Sequence, residues 1–223
     1  MISHDKRCIF VHIPKTAGTS IEKMFGHFTE LERGMQDHRT VRELLSVRPS
    51  ELWSVFRREG SVQMLREVRG VLRYPERMMK NEFDSYYKFA IVRNPWARVL
   101  SWYKNIMRDD IHKKNRNVRE DLSFEDFLIE HSWHTELRPQ LAWLTDREGN
   151  IAVDYVGRFE ALQEAVDEIA KNLKMENLKL PHLLDGGRSD YREQYTDTAA
   201  ELVSKRYSAE IAEFGYSYDE VAK

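Results

Sequence analysis

HIPKTAGTS, residues 12–20, closes one apolar run and opens another of different period. Before it, Cys8-Ile9-Phe10-Val11-His12-Ile13 is short and β-rich, like a buried strand of a parallel sheet. Pro14 ends that run. The next apolar positions, Ile21, Met24, Phe25 and Phe28, follow helical spacing, with Thr19 or Ser20 the expected N-cap. A strand feeding a tight loop and then a helix gathers free backbone N–H groups and the positive end of a helix dipole at one point. That combination makes an anion site. Within Lys15-Thr16-Ala17-Gly18-Thr19-Ser20, Lys15 adds a full positive charge, and Thr16, Thr19 and Ser20 add hydroxyls. Gly18 is expected to let the backbone approach a ligand. The nucleotide-binding pattern G-x-x-x-x-G-K-[ST] is not met, because the upstream glycine is missing and the lysine precedes the glycine. The physics is similar and the register different.

A second unit of the same kind follows. Tyr87-Lys88-Phe89-Ala90-Ile91-Val92 is an apolar strand ended by Arg93-Asn94-Pro95. Pro95 suits a first helical turn, and Trp96, Val99, Leu100, Tyr103 and Met107 mark a buried helical face. Between the two units, Arg48 to Lys80 reads as two helices rich in charge. Its basic residues (Arg48, Arg57, Arg58, Arg66, Arg69, Arg73, Arg77, Lys80) outnumber the acidic Glu51, Glu59, Glu67 and Glu76. Val62, Leu65, Val68 and Leu72 form a modest apolar stripe. This segment is either a solvated helical face or a rim that attracts an acidic acceptor.

Further on, Arg108 to Glu120 lacks apolar periodicity and is expected to be a mobile surface loop. Ser123 looks like the cap of another helix. Ile151 to Val156 reads as a strand, while Glu160 to Leu173 and Thr198 to Phe214 (capped by Asp197) read as helices. Alternating strands and helices argue for one α/β domain with a parallel sheet over 1–223, carrying a helical insertion at about 48–80.

Lys and Arg (35) nearly balance Asp and Glu (37), so no global field favours nucleic acid or a membrane, and any anion site must be local. No apolar run approaches the roughly 18 residues of a membrane helix. Neither a signal-peptide core nor a second cysteine beside Cys8 is seen. The expectation is a soluble cytoplasmic protein.

Val11 to Ile21, VHIPKTAGTSI, resembles the 5′-phosphosulfate loop of sulfotransferases, in the form used by carbohydrate sulfotransferases of the family 2 type. Phe89 to Tyr103, FAIVRNPWARVLSWY, resembles that family's 3′-phosphate motif, which places an arginine and a serine on the phosphate, here Arg93 and Ser101. DYVGRFE (154–160), YREQYTD (191–197) and FGYSYDE (214–220) add similarity towards the C-terminus. The resemblance implies a P-loop-NTPase-like three-layer α/β fold with a central parallel sheet flanked by helices. It also implies 3′-phosphoadenosine 5′-phosphosulfate (PAPS) as sulfuryl donor, PAP as product, and a carbohydrate or small-molecule hydroxyl as acceptor.

Under that resemblance Lys15 is expected to stabilise the leaving phosphate oxygen, helped by the loop amides. His38, in the stretch Asp37-His38-Arg39-Thr40, is the leading general base, with Glu43 or Glu82 as substitutes. Arg188, in Asp185-Gly186-Gly187-Arg188, is either a loop that closes over the nucleotide or a solvated side chain. A sulfuryl group carries less charge than a phosphoryl, so a metal clamp is less necessary, and no carboxylate pair here demands one. His12 reads as structural, satisfied by nearby backbone. His131 and His134 have no further ligand residues in sequence around them. Two readings stay beside the first: a P-loop-type kinase using ATP, and a non-catalytic nucleotide-binding protein on the same scaffold. Oligomeric state is not legible.

Overall fold

The computed structural model describes residues 1–28, 36–131, 134–175, 178 and 190–220. Four strands form one sheet in the order β1 (Ile2–Ser3), β2 (Cys8–Val11), β3 (Tyr87–Val92), β4 (Tyr155–Arg158). β1 runs antiparallel to β2, and β2, β3 and β4 are mutually parallel. Helices follow in the order α1 (Gly18–Met24), α2 (Val41–Leu44), α3 (Pro49–Glu59), α4 (Ser61–Arg73), α5 (Lys80–Asp84) and α6 (Pro95–Arg108). Beyond these come α7 (Asp110–Arg116), α8 (Phe124–His131), α9 (Leu141–Leu144), α10 (Leu162–Asn172), α11 (Asp197–Arg206) and α12 (Ser208–Phe214).

Strand alternation divides the core into two layers. Cys8, Phe10, Phe89 and Ile91 point to one side, where they meet Ile21 and Phe25 of α1 and Ala165 and Ile169 of α10. Ile9, Val11, Ala90 and Val92 point to the other, against Val99 and Leu100 of α6, Phe127 of α8 and Val203 of α11. The result is the expected three-layer α/β arrangement. Registry pairs Val11 with Ala90 and Val92 with Arg158, so the carboxyl ends of the three parallel strands emerge along one edge. In open α/β sheets that edge is where ligands bind.

Several local expectations are corrected. α1 starts at Gly18 behind Ala17 with no side-chain cap, so neither Thr19 nor Ser20 caps it. Arg108 to Glu120 is not a loop throughout: α7 lies within it, set by the Asp109 carboxylate accepting from the N–H groups of Ile111 (3.0 Å) and His112 (3.1 Å). Capping, not apolar periodicity, specifies that helix. The third parallel strand begins at Tyr155, and Ile151 makes only an isolated bridge to Thr145. The C-terminal helix is capped by Thr196 rather than Asp197 and breaks at buried Tyr207, whose hydroxyl donates to the Leu137 carbonyl (2.8 Å).

Candidate active site

Loop 12–17 leaves β2 at the common strand edge with Lys15 (φ 70°) and Ala17 (φ 68°) both in the left-handed region, on either side of Thr16. Neither is glycine, so the backbone is strained. Alternating hand turns successive N–H groups into one concavity, the arrangement that cradles anions. The Thr16 hydroxyl donates to the Ile13 carbonyl (2.8 Å), which ties the loop back to the strand. Gly18 does something other than expected. A Cβ on it would lie 1.8 Å from His12 Nε2, so the glycine makes room for the buried imidazole beneath the loop rather than only for a ligand above it.

Arg93 closes the same edge from β3. Its Nη1 donates to the Lys15 carbonyl (3.2 Å) and its guanidinium sits 4.1 Å from the Phe159 ring centre. Gln140, fully buried, clamps the Arg93 backbone at both ends: Arg93 N–H donates to Oε1 and Nε2 donates to the Arg93 carbonyl, each 2.8 Å. Glu210, also fully buried, accepts from Gln140 and faces buried Arg98, which in turn donates to the Pro14 carbonyl (3.2 Å). A polar scaffold therefore holds both loops. Asn94 caps α6 through Trp96 N–H (3.1 Å), and its own N–H donates to Glu160 (2.8 Å). Ser101 is half-buried on α6, two turns beyond Arg93, and one turn later Asn105 accepts from Lys15 Nζ (3.3 Å).

Charge in this corner is unbalanced. Neither Lys15 nor Arg93 joins an ion pair among the described residues. Burial, and then the neighbouring Arg93 and Arg108, lower Lys15 to about 8. Burial likewise lowers Arg93 to about 10, and its Nε is buried without a hydrogen-bond partner.

His38 reaches this loop through Gln36, whose carboxamide contacts both the Thr19 hydroxyl and His38 Nε2 (3.3 Å). His38 Nδ1 lies 3.2 Å from the His12 carbonyl and Nε2 lies against Gln36 Oε1, and both oxygens can only accept, so a neutral imidazole satisfies one of the two contacts. Burial, with His12 adding to it, drops His38 to about 4, well under the ordinary value. His12 is not satisfied by backbone: its Nδ1 is buried without a hydrogen-bond partner, with Oε1 of fully buried Glu22 3.2 Å away. Burial drives His12 to about 3 and raises Glu22.

The structure thus brings Lys15, Thr16, Ala17, Gly18, Thr19, Ser20, Arg93 and His38 to one edge. Glu43 is committed to the Thr40 capping box and Glu82 is exposed on α5. Arg188 lies outside the described residues. Among those described, no group of His, Cys, Asp and Glu is placed to hold a metal. Sequence reasoning missed Gln140, Asn105, Gln36 and the Arg98–Glu210 pair. Only Arg98 left a trace: it falls between Pro95 and Trp102 on a helical face that is otherwise apolar.

The chain belongs to the sulfotransferase family, whose model matches residues 1–217, and sulfuryl transfer is the general activity of that family. It is similar to an uncharacterized protein of Archaeoglobus fulgidus, 38% identical over 112 residues, covering 49% of this chain and 81% of that protein. No solved structure matches the chain.

Proposed function

We propose that this chain transfers the sulfuryl group of PAPS to a hydroxyl of a carbohydrate or glycoside acceptor, releasing PAP. The observation that carries the reading is the pair of half-buried cations, Lys15 and Arg93, the second depressing the first, beside a strained concavity of N–H groups. A phosphorylated ligand offsets that repulsion and supplies acceptors for Arg93 Nε and the loop amides. When bound, PAPS supplies a sulfuryl group on a phosphate leaving group.

The residues divide the work. Lys15 and the amides of 16–20 hold the 5′ side, where Lys15 stabilises negative charge on the departing phosphate oxygen. Arg93 and Ser101 hold the 3′-phosphate, with the Arg93 backbone fixed by Gln140. The Thr16 hydroxyl already donates to Ile13, so its part is through backbone N–H and oxygen lone pairs. In the tautomer whose Nδ1 donates to the His12 carbonyl, His38 Nε2 takes the acceptor proton as the new oxygen–sulfur bond forms, the acceptor hydroxyl replacing the Gln36 oxygen beside it. Its low basicity makes this transfer late, with Glu22 and Asp37 nearby to favour the imidazolium.

Titration calorimetry with PAP, and with ADP with and without magnesium, tests the donor site on wild type and Arg93→Ala. The expected result is metal-independent PAP binding that the substitution weakens about 10- to 100-fold, the loss of charge-assisted hydrogen bonds. Preference for ADP with magnesium refutes the reading in favour of a kinase.

A further inference from the structure

The α3–α4 hairpin is built inside out. α4 meets the body through Glu67, buried and paired with Arg147 (3.0 Å) and Arg42 (3.5 Å), and through Gly70, packed near Glu43 and Arg77. Its apolar stripe points the other way. Val62 (63% exposed), Leu65 (51%), Val68 (38%) and Leu72 (78%) follow i, i+3, i+6 and i+10 spacing along the outward face. Beside that stripe runs a row of exposed arginines, Arg66, Arg69 and Arg73, again at i, i+3 and i+7. On α3, which packs against α4, Trp53 (60% exposed) stacks on Phe56 with ring centres 5.4 Å apart, next to exposed Arg57. None of Arg57, Arg66, Arg69 and Arg73 forms an ion pair among the described residues.

We propose that this outward face docks on an anionic lipid bilayer. An apolar stripe flanked by arginines whose stems can lie along it, with a tryptophan alongside, is the pattern of a helix lying in a membrane interface. Charge complementarity demands an anionic occupant. A second copy docking through the same face with its α4 antiparallel to this one would set arginine row against arginine row. A protein segment would need pockets for its anchor side chains. Side chains exposed over more than half their surface form a ridge instead, and a bilayer accepts a ridge. The hairpin's end also lies near the site: Arg39, next to His38, stacks over Tyr74 just past α4 at 5.9 Å. Docking therefore holds the acceptor side of the site close to the surface, which suits a lipid-linked acceptor. That consequence rests on the sulfuryl-transfer reading; the docking itself does not.

The test is co-sedimentation of the full chain with phosphatidylcholine vesicles, with and without phosphatidylserine. It compares wild type, Leu65→Gln/Leu72→Gln and Arg66→Gln/Arg69→Gln/Arg73→Gln. Wild type should sediment with the anionic vesicles and stay in solution with the neutral ones. Each multiple variant should bind at least about tenfold more weakly. Circular dichroism and PAP affinity should be unchanged in both, because the substituted side chains face solvent. The proposal falls if wild type ignores anionic vesicles, or if the leucine variant binds them like wild type. It falls equally if polyglutamate is bound as tightly as vesicles, or if wild type self-associates through this face while the leucine variant is monomeric. PAP titration on the same samples keeps the two readings apart: vesicle binding without PAP binding refutes only the donor site.

Discussion

Alanine at position 18 should destabilise this protein. Helix propensity alone argues the opposite, since replacing a glycine inside α1 would stabilise by roughly 1 kcal/mol. The new Cβ, however, would stand 1.8 Å from His12 Nε2, 1.9 Å from Cδ2 and 2.5 Å from Cε1. His12 cannot step aside. Its ring is fully buried, stacked on Phe10 at 5.5 Å and packed against His38 at 4.2 Å, with Nδ1 3.2 Å from the Glu22 carboxylate. Overpacking of this kind costs about 1–3 kcal/mol. After the propensity gain, the net expectation is a loss of about 1 kcal/mol, or a Tm fall of about 2–4 °C for a chain of this size. Urea and thermal unfolding followed by circular dichroism measure it. His12→Ala/Gly18→Ala supplies the control: with the ring gone the methyl fits, and the cycle should show favourable coupling of about 2 kcal/mol. A Gly18→Ala protein as stable as wild type but unable to bind PAP would refute the reasoning and return the glycine to ligand approach.

PAP affinity should depend on Lys15. Free Lys15 titrates at about 8, and a bound phosphate raises that value, so affinity is full below about 8 and falls above it by up to about tenfold per pH unit; calorimetry across that range would give a flat profile if Lys15 were not in the site. His12 and His38 titrate at about 3 and about 4 in the folded chain, below the ordinary histidine value, so the unfolded chain takes protons first. Stability is then greatest above about 6.5 and falls as pH drops towards about 4, by at most about 2.7 kcal/mol per unit for two protons. Glu22, raised by burial, works against that slope and reduces it. Urea midpoints that do not change between those limits would reject it. Glu67→Ala strips a buried partner from Arg147 and Arg42 and should cost about 3–5 kcal/mol. Hydrogen exchange should show α4 losing protection before β2 and β3, and uniform loss would count against a locally anchored hairpin.

Much of the architecture was legible because it is periodic. An unbroken apolar run that changes at Pro14 to helical spacing defines β2, the loop and α1, and the same change at Pro95 defines β3 and α6. Parallel strands side by side then place Lys15 and Arg93 at one edge, so two cations 78 residues apart were findable from pattern alone. Caps of α7 and the break at Tyr207 were less visible, since each depends on one side chain rather than a repeat.

Other features were decided only by the tertiary structure. That Gly18 accommodates His12, that Gln140 clamps Arg93, and that Gln36 links His38 to Thr19 are contacts between side chains with no common period. His38 lies beside the loop through Gln36, yet burial beside a second imidazole makes it far less basic than its type implies. For α4 the sequence carries an apolar stripe but not its direction. Arg147 and Arg42 take Glu67 inward, because a buried carboxylate needs cationic partners more than four aliphatic side chains need to leave water, and the stripe is turned to the outside.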